Sequence, residues 1–189
     1  MSSVSIVKGS ITELETDALV NAANESLLAG SGVCGAIFKK AGHKRLQEAC
    51  NKIGHCDTGS AVITPGFDLK SKYIIHAVGP RWLDGYHREP ELLYNAYKKA
   101  LELALDYHCR SIGFPLISAG TFGCPIDLAW EQAVRACSDF INEHSDESIS
   151  IIFAVLTDDV LNTGREKLRG ITGSAEAGIF SESPPQSGI

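Results

Sequence analysis

VNAANESLLAGSGVCGAIFKKAG, residues 20–42, moves from a strand end through an asparagine turn and a glycine loop into a helix. Asp17 to Val20 leads in as an apolar strand. Gly30, Gly32 and Gly35 make the loop, and Val33, Ile37 and Phe38 fall at helical spacing after it. A strand that feeds a glycine loop and a helix start gathers backbone N–H groups at the positive end of a helix dipole, an arrangement suited to phosphate. Asn21 and Asn24 add neutral amides that bind sugar hydroxyls or position a water. The stretch predicts one strand–loop–helix unit and a nucleotide-like ligand.

Outward from it, apolar and β-branched runs predict strands over 4–7, 61–64, 73–78, 111–117 and 149–156. Helical spacing extends the first helix over 33–50, with Gly54 beyond it. Further helices are expected over 91–107, from Pro125 or Ile126 to Ile141, and over 158–168. Strands alternating with helices, several strands being apolar on both faces, give an α/β fold built as a three-layer α/β/α sandwich. Residues 1–169 make one domain. Residues 170–189, GITGSAEAGIFSESPPQSGI, read as a disordered Gly/Ser/Pro-rich tail.

The chain has 189 residues, enough for one full core, and a net charge of −6. That balance argues against general nucleic-acid or anionic-membrane binding, which needs a basic face. No apolar run is long enough to span a bilayer. The six cysteines (Cys34, Cys50, Cys56, Cys109, Cys124 and Cys137) form no CxxC pair and no signal peptide precedes them, so reduced thiols in a cytoplasmic protein are expected. Cys50, His55 and Cys56 lack a fourth ligand at a zinc spacing, and no metal site is expected.

A second glycine-rich turn, SAGTFGCP at 118–125, also lies between a strand and a helix. Ligands of open α/β sheets bind beyond the carboxyl ends of strands, so two such loops at one edge are placed to grip a diphosphate from both sides. Phe122 either offers an aromatic face to the cleft or anchors the turn. Asn24 either meets the ligand or caps its own turn. Cys34 is either an inert packing thiol or, at a helix start that suits a lowered thiol pKa, a contributor to the site. His76, after Ile74 and Ile75, reads as a satisfied core histidine. Trp82 and Tyr86 mark either a loop beside the cleft or an exposed tip. Asp158 and Asp159 suit the start of the last helix.

Four segments, in order, resemble the macrodomain family of ADP-ribose-binding modules: VKGSIT at 7–12, DALVNAANESLLAGSGVCGAI at 17–37, CDTGSAVITPGFDLKSKYIIHAVGPRW at 56–82 and SIGFPLISAGTFGCP at 111–125. The resemblance covers roughly residues 4–168. It implies a central mixed sheet and a binding set of Gly9, Ser10, Ile11, Ala22, Asn24, Gly32, Val33, Cys34, Ser118, Ala119, Gly120, Thr121, Phe122, Gly123 and Leu156. Ile11 would border the adenine. Gly32, Val33 and Cys34 would follow the diphosphate and ribose, and Phe122 would lie against the distal ribose.

The same resemblance implies an ADP-ribosyl hydrolase acting on mono-ADP-ribosyl groups of acidic side chains, with Asn24 and Cys34 at the catalytic position. A non-catalytic reader of ADP-ribose and an O-acetyl-ADP-ribose deacetylase are the alternatives. The partner is ADP-ribose or an ADP-ribosylated protein, the chain is expected to act as a monomer, and no cofactor is needed. Three features depart from the family pattern. Ser10 stands where an Asp usually accepts from the adenine amino group, and Cys34 where many hydrolases carry Asp. Leu156-Thr157-Asp158 contains no aromatic to stack on adenine. With no carboxylate at position 34, the expected mechanism is substrate-assisted: a diphosphate oxygen takes the water's proton while Asn24 positions that water.

Overall fold

The computed structural model describes residues 2–172, with side chains as far as Arg169. Its elements are β1 (Ser3–Lys8), a 3-10 turn (Ile11–Glu13), β2 (Ala18–Ala22), α1 (Gly32–Ala41), α2 (His43–Ile53), β3 (Ala61–Pro65), β4 (Tyr73–Ala77), α3 (Glu89–Asp106), β5 (Ser111–Phe114), α4 (Ile126–Glu143), β6 (Ser150–Val155) and α5 (Asp158–Thr172). The strands form one sheet in the order β1-β6-β5-β2-β4-β3. All neighbours run parallel except β3, which is antiparallel to β4. The expected mixed sheet between two helical layers is therefore observed.

The layers follow from strands that are apolar on both faces. In β2, Ala18 and Val20 join the core under α3, α4 and α5, while Leu19 joins the one under α1 and α2. Ile75 and Ile74 in β4 divide the same way. The larger core is centred on aromatic rings: Phe114 stacks on Phe153 at 5.5 Å and Trp130 meets Phe153 edge-on at 5.0 Å. Tyr97 packs on Phe114 at 5.3 Å.

Three expectations about elements are corrected. The helix expected over 33–50 is two helices, because Gly42 adopts φ +97° and turns the chain between them. That break is held by Asp68, whose N–H donates to Ala41 O and whose carboxylate pairs with Arg45 of α2. The strand expected over 111–117 ends at Phe114, since Pro115 has no N–H for the ladder. The last helix runs on to Thr172, into the segment read as a tail; residues 173–189 of that segment lie outside the described residues. The 3-10 turn after β1 was not foreseen. Ser10 caps it, its hydroxyl 2.8 Å from Thr12 Oγ1 and accepting from Thr12 N.

Candidate functional site

A cavity of about 280 Å³ opens at the carboxyl edge of the sheet, at the ends of β2, β4 and β5. Its walls are Ala22, Ala23 and Asn24 after β2, Gly30 to Cys34 at the start of α1, Gly79 and Arg81 after β4, and Pro115 to Ser118 with Gly120 to Phe122 after β5. The position follows from topology. β2 and β5 are neighbours, yet the chain leaves β2 toward the α1 face and leaves β5 toward the α4 face. Where successive connections part to opposite faces, a crevice is left between the loops.

Both loops present unpaired donors. Ser31 precedes α1 with no side-chain cap bond, and no acidic residue lies in the first turn. The leading N–H groups of α1 therefore meet the cavity with the helix dipole behind them. Opposite, the N–H groups of Gly120, Thr121 and Phe122 donate to no protein atom among the described residues. The loop carrying them is pinned from below and from the side. The Tyr97 hydroxyl, fully buried, accepts from Ile117 N at 2.8 Å and donates to Pro115 O at 3.4 Å. Ser118, in the left-handed region at φ +65°, donates its hydroxyl to Pro80 O at 2.8 Å. Gly79 permits this approach, because a Cβ there would lie 2.3 Å from Ser118 Oγ. A strained, buried, non-glycine residue held by several partners is a common feature of binding loops.

The amides and thiol divide between cleft and core. Asn24 lines the cavity, and both atoms of its amide brace the turn: Nδ2 donates to Leu28 O at 2.8 Å and Oδ1 accepts from Leu28 N at 3.0 Å. One amide hydrogen of Asn24 stays free. Asn21, expected at the ligand, is instead 1% exposed in β2, with Nδ2 3.1 Å from His76 Nδ1 and 3.6 Å from Cys34 Sγ. In a parallel strand its side chain turns inward while the next residues reach the edge. Cys34 lines the cavity at 6% exposure, its thiol donating to Leu28 O at 3.8 Å.

His76 is the core histidine that its strand position suggested. Its Nε2 lies 2.9 Å from Thr64 Oγ1 and 3.8 Å from Cys50 Sγ, and burial pulls its pKa down to about 4. Burial pushes the Cys50 thiol up to about 11, with a smaller contribution from Cys34. Thr64, His76, Asn21 and Cys34 thus form a buried polar chain that ends on the cleft floor.

Of the residues expected to bind, Ala22, Asn24, Gly32, Val33, Cys34, Ser118, Gly120, Thr121 and Phe122 come together around the cavity. Gly9, Ser10, Ile11, Ala119, Gly123 and Leu156 lie outside its lining. Gly9, Ser10 and Ile11 follow β1 and Leu156 follows β6, the next strands along the same edge. Ile11 is 4% exposed and packs into the core. Leu156 is 65% exposed.

Sequence reading missed Arg81, Gly79 and Tyr97. The first two sit in the Gly-Pro-Arg turn that follows β4, and a glycine directly after a strand was the available signal. It also missed Glu89. Burial raises this carboxyl's pKa, but its own backbone N–H and those of Leu83, His87 and Asp84 more than offset that and hold it at about 2. Asp84, His87 and Glu89 have ligand atoms within 4.8 Å of one another, but the Glu89 and Asp84 oxygens are engaged by their own loop.

The family model for the Macro domain matches residues 20–133. The chain belongs to the macrodomain family. This macrodomain is 50% identical over 159 residues to a macro domain-containing protein of Listeria monocytogenes, covering 82% of this chain and 90% of that one. It is 50% identical over 148 residues to a Salmonella typhimurium protein named O-acetyl-ADP-ribose deacetylase, covering 76% of this chain and 82% of that one. Among solved structures it resembles the Oceanobacillus iheyensis macrodomain with ADP, at a TM-score of 0.83 and 38% identity over 90% of this chain and 92% of that one. It also resembles the Trypanosoma brucei macrodomain in complex with ADP-ribose, at a TM-score of 0.80 and 36% identity over 86% of this chain and 68% of that one. No helix of this macrodomain, among the described residues, is long and apolar enough to cross a membrane. All six cysteines are free thiols.

Proposed function

We propose that the cleft binds ADP-ribose and hydrolyses acyl esters of it, removing mono-ADP-ribosyl groups from protein carboxylates. The observation that carries this reading is the pair of facing donor sets, the uncapped start of α1 and the free N–H groups of residues 120–122, across one cavity at the sheet's switch point. The diphosphate lies between them. The distal ribose sits between Asn24 and Phe122, and the adenine extends along Gly9, Ser10, Ile11 and Leu156. The names of the Salmonella relative and of the ligand-bound structures support the ligand class.

The chemistry is a glycosyl transfer to water. The water oxygen bonds to the anomeric carbon as the bond from that carbon to the acyl oxygen breaks. Its electron pair leaves with the carboxylate. The transition state has oxocarbenium character. No Asp or Glu lines the cavity, so the water's proton passes to a diphosphate oxygen and on to solvent. Asn24, already fixed by its turn, holds the water through its remaining amide hydrogen. A monomer in a reducing cytoplasmic setting suits six free thiols.

A second reading, a reader without turnover, is favoured by one observation: both polar atoms of the Asn24 amide already serve the turn. Incubation with a protein mono-ADP-ribosylated on Glu or Asp, and separately with O-acetyl-ADP-ribose, tells these apart. Release of ADP-ribose from the protein is the expected result. Retention without release selects the reader, and cleavage of the small ester alone selects the deacetylase.

A further inference from the structure

Arg81 is the only charged side chain among the residues that line the cavity. Its guanidinium lies over the Phe122 ring at 4.7 Å. The backbone on either side of it is clamped to the second loop: Pro80 O accepts from Ser118 Oγ at 2.8 Å, and Trp82 N donates to Phe122 O at 2.7 Å. Among the described residues Arg81 has no ion-pair partner. The carboxylates of its own loop are committed elsewhere, Asp84 to Tyr86 N and His87 Nδ1, and Glu89 to backbone N–H groups. An exposed, unpaired guanidinium resting on an aromatic ring at a cleft wall is free to receive an anion from outside.

We infer that Arg81 reads the acyl group of the substrate. This rests on the hydrolase reading above, which seats the distal ribose against Phe122. A group attached to that ribose then leaves the cleft past Arg81, while the diphosphate is served by the N–H groups at the start of α1 and in the second loop. When water attacks the anomeric carbon, the departing acyl oxygen takes the electron pair of the broken bond and becomes carboxylate. When water attacks the acyl carbon of an O-acetyl ester, the carbonyl oxygen becomes the oxyanion and the ribose oxygen departs with the proton. In both routes negative charge gathers on acyl oxygens. A guanidinium set beside them is a donor placed where charge develops.

The test compares wild type, Arg81→Gln and Arg81→Lys in two assays: calorimetric binding of ADP-ribose, and kcat and KM for two esters, a protein mono-ADP-ribosylated on Glu or Asp and O-acetyl-ADP-ribose. For Arg81→Gln the expected result is a fall of about tenfold or more in kcat/KM, carried in kcat, with the Kd for ADP-ribose within about twofold of wild type. Arg81→Lys recovers part of the loss by restoring the charge without the fork. An equal loss of ADP-ribose affinity and of kcat/KM would assign Arg81 to the diphosphate and overturn the inference, and so would no change in either. If wild type binds ADP-ribose and cleaves no ester, the hydrolase reading falls and this inference with it. If wild type cleaves the ester and Arg81→Gln does so equally well, the inference alone falls.

Discussion

Cys34 sits where a carboxylate base would simplify the chemistry, and its surroundings argue for a quiet role. The thiol donates to Leu28 O, and no histidine touches it; His76 is reached only through Asn21. The expected outcome for Cys34→Ser is turnover within about threefold of wild type, since the hydroxyl keeps a donor toward Leu28 O. Complete loss in a folded variant would return Cys34 to the reaction. His76 carries a different prediction. Buried and neutral, it titrates near 4, whereas in the unfolded chain it titrates near about 6.5. Between those values the unfolded chain holds the extra proton, so stability is whole above about pH 6.5 and falls as pH drops. By pH 5 the loss amounts to about 2 kcal/mol. Urea unfolding at pH 7 and pH 5 reads it directly, and a slope identical in His76→Asn would assign the loss to other groups. The sequence made His76 legible as core, because apolar neighbours on a strand bury what lies between them. It did not reveal that Asn21 turns away from the cavity, because one residue of register along β2 decides that.

At the scale of elements, the sequence reading failed where a single residue overrode periodicity. Apolar positions continue at helical spacing through residues 33–50, yet Gly42 breaks the run. Gly42→Ala forces a side chain into φ +97° with its Cβ 3.1 Å from Asp68 Oδ2. The expected cost is about 1–3 kcal/mol, read from the shift of the urea midpoint; a neutral or stabilising effect would mean that the two helices can fuse without strain. The pinning of the second loop was invisible for another reason. Tyr97 looked like one more apolar position on α3, and only the folded chain shows its hydroxyl under Pro115 and Ile117. Tyr97→Phe keeps the ring and leaves Ile117 N–H unpaired in the core. It is expected to cost about 1–3 kcal/mol and to weaken ADP-ribose binding, because the free N–H groups of residues 120–122 lose their support. Unchanged affinity at lowered stability would separate the loop's position from this bond. Strand and helix order was legible throughout, since apolar strands alternate with amphipathic helices.

The whole molecule sets the extent of the ligand. The cavity spans the ends of β4, β2 and β5, and the remaining expected contacts lie beyond β6 and β1. At roughly 4.8 Å per strand, β4 to β1 covers about 19 Å of sheet edge, an extent that calls for both halves of a dinucleotide-like ligand. The two glycine loops suggested a phosphate grip because each sits between a strand and a helix. Their convergence was not, because strand order is set by pairing between distant segments. The proposed adenine half rests on the fewest fixed groups: Ser10 is engaged with Thr12 and Ile11 is buried. Calorimetric titration with ADP-ribose, against AMP and ribose-5-phosphate, is the most direct measurement of the central claim. Micromolar binding of ADP-ribose with much weaker binding of each half is expected of a cleft that spans the diphosphate. No heat with ADP-ribose, or AMP binding as tightly as the whole, would contradict it.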